Sequence, residues 1–447
     1  MRSKGFVTLL ALGALASTLF SPANVGSAPI GLDAQVVDVD LESFEASFPV
    51  IEYGRNGRRV GETKWRIVKD SGNCCENYVT TTSKGRVLDF GGSYINFSDD
   101  RGESWKSVRP IEPLINGEGA ISAAPGGDIV GVQWDPYTGD HLLTFKYEAA
   151  EKKWLYNEMP IHQPFYDREW IGVVPGPITF GSITAPYVTF IKGAYPSKEA
   201  WYLSFDGLNY TQVSSKMIES LVTDPFDGYL DIAATPDFDW IQPNTNMGMA
   251  PIGKGRAIAS GDWPFEDRDW SLFDGKDLRW SDFTFAEGVS PEGRMQVDSA
   301  GRLHNVIPKE TAFVYQVSTD GGHRWVSKNV KLPTGTTIEE WDFRANKKVG
   351  VAAVGIHGHD EKADADVDLL YKFDISGRAP TLSRFYRIGK GDVNGGRGVG
   401  ATVRFDFETL SIFPDGRIVM SFYDTTTAAD GRVQPALAIE GATTFRR

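Results

Sequence analysis

The sequence predicts an all-β protein assembled from one repeated unit, and three observations carry that expectation. Helical periodicity is almost absent, with only Ser215 to Leu221 spaced as a short helix. Short runs rich in β-branched and aromatic residues recur between clusters of Gly, Pro, Asn and Asp. One eight-residue pattern, Ser-x-Asp-x-Gly-x-x-Trp, occurs twice: at Ser98, Asp100, Gly102 and Trp105, and at Ser318, Asp320, Gly322 and Trp325.

Taken from the N-terminus, the first element is an export signal. Arg2 and Lys4 precede an apolar run from Phe6 to Phe20, and the small residues Gly26 and Ala28 suit a signal peptidase, so residues 1–28 are read as removed. The run is short for a membrane span and no later segment approaches one. The mature chain is expected outside the cytoplasm, secreted or periplasmic. Residues 29–59 read as a lead-in that helps to close the fold, and 60–447 as its body. An oxidising compartment permits disulfides, yet the two cysteines are the neighbours Cys74 and Cys75. Adjacent Cα atoms lie about 3.8 Å apart, below the ~4.4–6.8 Å of an unstrained bridge. This leaves two thiols or a vicinal disulfide.

The body is punctuated by three similar turn-and-strand segments: Ser83-Lys84-Gly85-Arg86-Val87, Ser299-Ala300-Gly301-Arg302-Leu303 and Pro414-Asp415-Gly416-Arg417-Ile418. Their glycines supply the positive φ of a tight hairpin. In the eight-residue pattern the Asp and Ser oxygens accept hydrogen bonds from turn amides, while the Trp returns to pack beneath the turn. The pattern resembles the Asp-box, or BNR repeat, of the sialidase-like β-propeller superfamily, over about residues 60–441. The resemblance implies a single propeller of four-stranded blades, each box joining third and fourth strands on the face opposite the active site. Ser98 and Ser318 stand 220 residues apart, four steps of 55. Candidate innermost strands end at turns near Gly85, Gly126, Gly176, Asp237, Gly301, Lys347 and Gly416, which gives seven blades, with six and long insertions as the alternative.

Composition narrows the chemistry. A hydrophobic content of 41% excludes a disordered chain. A formal net charge of -13 argues against nucleic acid or an anionic membrane as the partner. In a four-stranded meander the chain ends and the second-to-third loop share one face. Residues just ahead of the innermost strands should therefore gather around a central funnel. They are Glu76, Glu118, Asp167 and Arg168, Arg294, Glu340 and Asp342, and Arg404 and Asp406. Arginine offers a planar fork to a carboxylate, and a carboxyl group of shifted pKa works as acid or base. Arg168, Arg294 and Arg404 are thus the candidate substrate-binding residues, and Glu76, Asp167 and Asp406 the candidate catalytic ones; ion pairs joining blades are the structural alternative. Asp-Arg-x-Trp occurs at Asp167–Trp170 and Asp267–Trp270, the first assigned to the funnel and the second to structure.

The resemblance also implies three arginines for a substrate carboxylate, a Tyr nucleophile assisted by a Glu, and an Asp acid. The family's first arginine falls on Arg66 in Trp65-Arg66-Ile67-Val68, where Val68 replaces the family's Pro; no Tyr and Glu match the nucleophile pair. Asp364, Asp366 and Asp368 alternate as in a calcium loop, but Leu369 and Ile375 replace its Gly and Glu, so a solvated loop is preferred and structural calcium is the alternative. No other cofactor or metal is indicated. His357-Gly358-His359 lacks a third ligand, Trp263, Trp270 and Trp280 suit either sugar stacking or packing, and Asn96-Phe97-Ser98 and Asn209-Tyr210-Thr211 are glycosylation sequons. The expected partner is extracellular carbohydrate containing an acidic sugar. A glycosidase is the first reading; a polysaccharide lyase and a non-catalytic glycan- or protein-binding propeller are the alternatives.

Overall fold

The computed structural model describes residues 32–41, 43–45, 50–69, 78–90, 94–109, 119–134, 141–160, 167–180, 182–194, 200–213, 238–240, 249–253, 256–260, 270–274, 279–283, 294–320, 322–362, 365–388, 410–424 and 434–441. Residues 1–28, Cys74, Cys75 and the helical spacing at Ser215 to Leu221 lie outside them. Apart from two short 3-10 turns, the described elements are all strands.

Six strands come first: β1 (Leu32–Asp33), β2 (Gln35–Val39), β3 (Ser43–Glu45), β4 (Val50–Gly54), β5 (Arg59–Glu62) and β6 (Trp65–Lys69). Six antiparallel meanders follow. They are β7 (Tyr78–Thr81) to β8 (Val87–Phe90), β9 (Ile95–Ser98) and β10 (Trp105–Arg109); β11 (Gly119–Ala123) to β12 (Ile129–Trp134), β13 (His141–Glu148) and β14 (Lys153–Pro160); and β15 (Asp167–Phe180) to β16 (Ile183–Ala194), β17 (Ala200–Ser204) and β18 (Thr211–Val213). Then come β19 (Met249–Gly253) to β20 (Arg256–Ser260), β21 (Trp270–Asp274) and β22 (Arg279–Phe283); β23 (Arg294–Val297) to β24 (Leu303–Lys309), β25 (Ala312–Ser318) and β26 (Val326–Lys331); and β27 (Thr336–Asn346) to β28 (Val351–Asp360), β29 (Ala365–Asp374) and β30 (Thr381–Ile388). The seventh sheet has three late strands, β31 (Leu410–Ile412), β32 (Ile418–Asp424) and β33 (Gln434–Glu440), and takes its fourth from β6.

The first strands touch in sequence, β7 to β11, β15, β19, β23, β27 and β31, and β31 returns to β7. That closed ring is a β-propeller of four-stranded blades, with the first strands innermost. Pairing of Ala436–Glu440 with Trp65–Lys69 joins the two ends of the chain in one sheet. Inner strands are buried on both faces, so β7, β11 and β31 show no alternation of burial. Small residues suit this crowding: a Cβ on Gly119 would lie 2.2 Å from the Phe90 ring of the neighbouring sheet. Phe90 meets Phe145 edge-on at 6.0 Å, an aromatic contact between sheets of the kind that fills a propeller's wedges.

Five expected turns, at Gly85, Gly126, Gly301, Lys347 and Gly416, do follow innermost strands. Two expectations need correction. Gly176 lies inside the long strand β15, whose pairing with β16 shifts register between Pro175 and Ile178, and the first hairpin of that sheet closes only after Phe180. The turn expected near Asp237 is displaced too: the inner strand there is β19, which turns into β20 at Gly253 and Arg256, while Phe238–Trp240 form a 3-10 turn. Asp237 itself is outside the described residues.

The lead-in is more than a closure. Before β6 enters the seventh sheet, β1 adds to β14, β2 to β10, β3 to β6, and β4 with β5 to β30. The segment thus runs along the outer edges of four sheets. The boundary expected at residue 60 falls within β5.

Candidate functional site

The eight-residue motifs are hairpin turns between third and fourth strands. In the first, Ser98 Oγ donates to Asp100 Oδ1 at 2.7 Å and accepts from Gly102 N at 2.7 Å. Glu103 N and Ser104 N donate to Asp100 Oδ1, and Trp105 Nε1 donates to Gly102 O at 3.3 Å. Desolvation would raise the Asp100 pKa, but these donors and Ser104 Oγ outweigh it and hold the carboxyl down at about 2. The second turn repeats the scheme through Ser318, Asp320, Gly322 and Trp325. A third was missed. Ser204-Phe205-Asp206-Gly207-Leu208-Asn209-Tyr210 makes the same bonds between β17 and β18: Gly207 N to Ser204 Oγ at 2.9 Å, and Leu208 N and Asn209 N to Asp206 Oδ1 at 2.8 and 2.7 Å. It is one residue shorter and carries Tyr for Trp, which hides it from a fixed pattern.

Arg66 belongs to this hairpin face. Its Nη1 donates to Gly102 O at 3.1 Å and its Nη2 pairs with Glu103, so it holds a turn and is not a funnel residue. The sequons have structural roles as well: Asn96 is buried, and the Asn209 side chain bonds both Asp206 and Asn157.

At the opposite ends of the inner strands the chain enters each sheet. Asp167 and Arg168 are the first two residues of β15, and Arg294 is the first of β23. Glu76, Glu118, Arg404 and Asp406 lie outside the described residues. Gln296 ties β23 to β27 through Nε2 to Phe343 O at 2.6 Å and Oε1 from Ala345 N at 2.8 Å. Since both strands run out from the entry face, Arg294 stands near the level of Asp342. Asp342 is buried and accepts from Leu410 N at 3.0 Å, linking β27 to the start of β31.

The sheet of β27 to β30 also carries a row of three ionisable groups. A bulge in β27 between Ile338 and Glu340 inserts Glu339, a device that re-aims a side chain. Glu339 Oε2 lies 3.8 Å from His357 Nε2, and His357 Nδ1 lies 2.8 Å from Asp368 Oδ1. The Glu339 side chain is 52% exposed, whereas His357 and Asp368 are buried. A carboxylate fixed on one imidazole nitrogen orients the ring and leaves the other nitrogen on the side of a half-exposed carboxylate, 3.8 Å away and outside hydrogen-bond reach. Sequence reasoning reached His357 and Asp368 only as fragments of metal patterns and passed over Glu339. Asp366 and Asp368 sit in strand β29, paired with His359 and His357. Among the described residues no three His, Cys, Asp or Glu are grouped to hold a metal ion.

A second polar cluster differs in kind. His304 Nε2 lies 2.9 Å from Asp298 Oδ2 and its Nδ1 lies 2.8 Å from Tyr315 Oη. Arg302 joins through Nε to Asp298 at 2.7 Å and donates to Ile375 O and Gly377 O of the next sheet. A neutral ring that donates from Nε2 and accepts the Tyr315 hydroxyl proton satisfies every partner. Desolvation lowers the His304 pKa against the opposing pull of Asp298. These groups are buried at the hairpin end, so the cluster bonds two sheets together.

No family model and no curated protein matches the chain. Similar solved structures include a protein of unknown function from Dyadobacter fermentans, 13% identical over 92% of this chain and 98% of that one, TM-score 0.36. An α-L-arabinofuranosidase from Fusarium graminearum with an iminosugar inhibitor is 13% identical over 72% and 92%, TM-score 0.39. The Aleuria aurantia lectin with Fucα1-6GlcNAc is 8% identical over 73% and 93%, TM-score 0.34. These scores carry no argument about the chemistry of this chain. No helix of the described residues is long and apolar enough to cross a membrane.

Proposed function

We propose that the chain is an exported, sialidase-like propeller of seven blades that hydrolyses glycosidic bonds in extracellular glycans bearing an acidic sugar. Its site is the entry face of the inner strands. Arg168 and Arg294, with Arg404, bind the sugar carboxylate; Asp167, Glu76 and Asp406 remain the acid–base candidates near the axis, and Glu339 joins them. The observation that carries the reading is the Glu339–His357–Asp368 row, which starts on β27, the strand that also carries Asp342. The Ser-Asp-Gly turns at 98–105, 204–210 and 318–325 support the Asp-box kinship, since each joins third and fourth strands.

One observation favours a second reading. An imidazole held by a buried carboxylate is suited to take a proton from carbon beside a uronate carboxylate, which is lyase chemistry. Incubation of the mature protein with a panel of sialosides and uronate polysaccharides separates the readings. Hydrolysis releases a free acidic sugar, elimination creates ultraviolet absorbance, and a binding protein retains ligand without product. Absence of turnover on every acidic glycan rejects the hydrolase.

A further inference from the structure

We propose that three hairpin tips along one sheet form a cationic track that binds a linear acidic polysaccharide, at a place separate from the entry face. The sheet runs β27, β28, β29, β30, β4, β5, and turns at 347–350, 375–380 and 55–58 follow β27, β29 and β4. β4 lies beside β30 with Val50 opposite Ile388 and Gly54 opposite Arg384, so its turn points the same way as the other two, set back by a few residues. Neighbouring strands are about 4.8 Å apart, so the tips step outward by about 10 Å and the track spans about 20 Å.

The track carries an excess of positive charge. Lys347, Lys348, Arg378, Arg55, Arg58 and Arg59 stand on or beside the turns, against the carboxylates of Asp374 and Glu62. Both carboxylates are engaged: Asp374 accepts from Ser376 N and Oγ at 2.8 and 2.6 Å, and Glu62 pairs with Arg59 at 3.0 Å. Lys347 donates to Ser376 O at 3.0 Å and ties the first tip to the second. Arg55, Arg58 and Arg378 are exposed and have no side-chain partner among the described residues. On the neighbouring turn, by contrast, Asp415 matches Arg101 and Arg417.

These arginines project from fixed backbone. Gly54 N donates to Arg58 O and Gly57 N to Gly54 O, both at 2.9 Å, and Gly57 takes a φ of 74°. The middle tip is held by Arg302, whose Nη1 and Nη2 donate to Gly377 O at 2.8 Å and Ile375 O at 2.9 Å. Fixed tips reduce the ordering cost of binding. Charge then selects the ligand. A chain of net charge -13 repels a polyanion over most of its surface and draws it to this edge. Guanidinium forks pair with carboxylate and similar oxyanion groups, which a linear acidic polysaccharide repeats at regular steps. No aromatic residue lies on the three turns to stack on nucleic-acid bases.

The test is the triple variant Arg55→Gln, Arg58→Gln and Arg378→Gln of the mature protein, with polygalacturonate, heparin and neutral dextran as probes. The parent should bind at least one acidic polymer and not dextran, and the variant should bind it at least about tenfold more weakly, with a shallower salt dependence. Polygalacturonate carries carboxylates alone and heparin carries sulfates as well, so the pair tells which group is preferred. The three side chains are exposed, so the melting temperature should not change. Binding of an acidic disaccharide at the entry face should also be unchanged, and polymer binding needs no turnover, so failure of the hydrolase reading leaves this test standing. Equal polymer affinity in parent and variant overturns the proposal, as does a parent that binds neither acidic polymer. A preference for duplex DNA or phosphatidylserine vesicles that the variant loses overturns it too, by giving the track another partner.

Discussion

Individual side chains divide into those that hold sheets together and those assigned to the proposed site. Glu339 is the exposed member of the Glu339–His357–Asp368 row, and under the proposed function Glu339→Gln should lower kcat/KM on the acidic substrate by about 10²-fold or more. The melting temperature should not change, since that side chain is half exposed. Asp368→Asn leaves a buried imidazole without its carboxylate and should cost about 1–3 kcal/mol of stability, read by urea unfolding. Asp298 is a bonding residue. Desolvation pushes its pKa up, but His304 and Arg302 outweigh this and hold it at about 2. A carboxyl group depressed on folding stabilises the protein above its unfolded value of about 3.9 and loses that contribution as pH falls toward 2. His304, lowered by burial, gives a loss of the same sign as pH falls below about 6.5. Urea midpoints should therefore decline from pH 7 to 2, and Asp298→Asn should be weaker at pH 7 and flatter below pH 4. A parallel decline in that variant rejects the assignment.

Elements show what their local sequence made legible. Two Ser-Asp-Gly-Trp turns were readable because their hydrogen bonds demand those residue types at that spacing, and the third was not because its loop is one residue shorter. Asp206→Ala removes two amide bonds and the anchor of Asn209, and should lower stability by about 1–3 kcal/mol in thermal melts, as Asp100→Ala should by a similar or smaller amount. Strand β15 misled the turn assignment because Gly176 and Pro177, ordinary turn residues, are absorbed in a register shift within a long hairpin. Glu339 was passed over for a related reason: in a regular strand its neighbours Glu340 and Asp342 would share a face, and only the bulge sets Glu339 against His357. Bulges depend on pairing partners distant in sequence, so local pattern does not announce them.

At the scale of the whole molecule, the ring explains why one sheet needs both ends of the chain. Trp65 is buried against Tyr386 at 5.5 Å and lies in the closing strand β6. Trp65→Ala should therefore cost about 3–5 kcal/mol and be felt as global unfolding, with no separate loss of one sheet. The repeat and the direction of the inner strands were legible because turn chemistry recurs along the chain. The edge-running lead-in was not, since β1 to β5 carry exposed, short segments whose partners are set only by the finished ring. Asp167 and Arg168 begin β15 and Arg294 begins β23, at the strand starts where the proposed site lies. Calorimetric titration of the mature protein with a sialoside, an oligouronate and their neutral counterparts tests this placement directly. Selective binding of an acidic glycan, weakened about tenfold or more by Arg168→Ala or Arg294→Ala, is the predicted result. Equal affinity for the neutral glycans, or arginine variants that bind as the parent does, would contradict it.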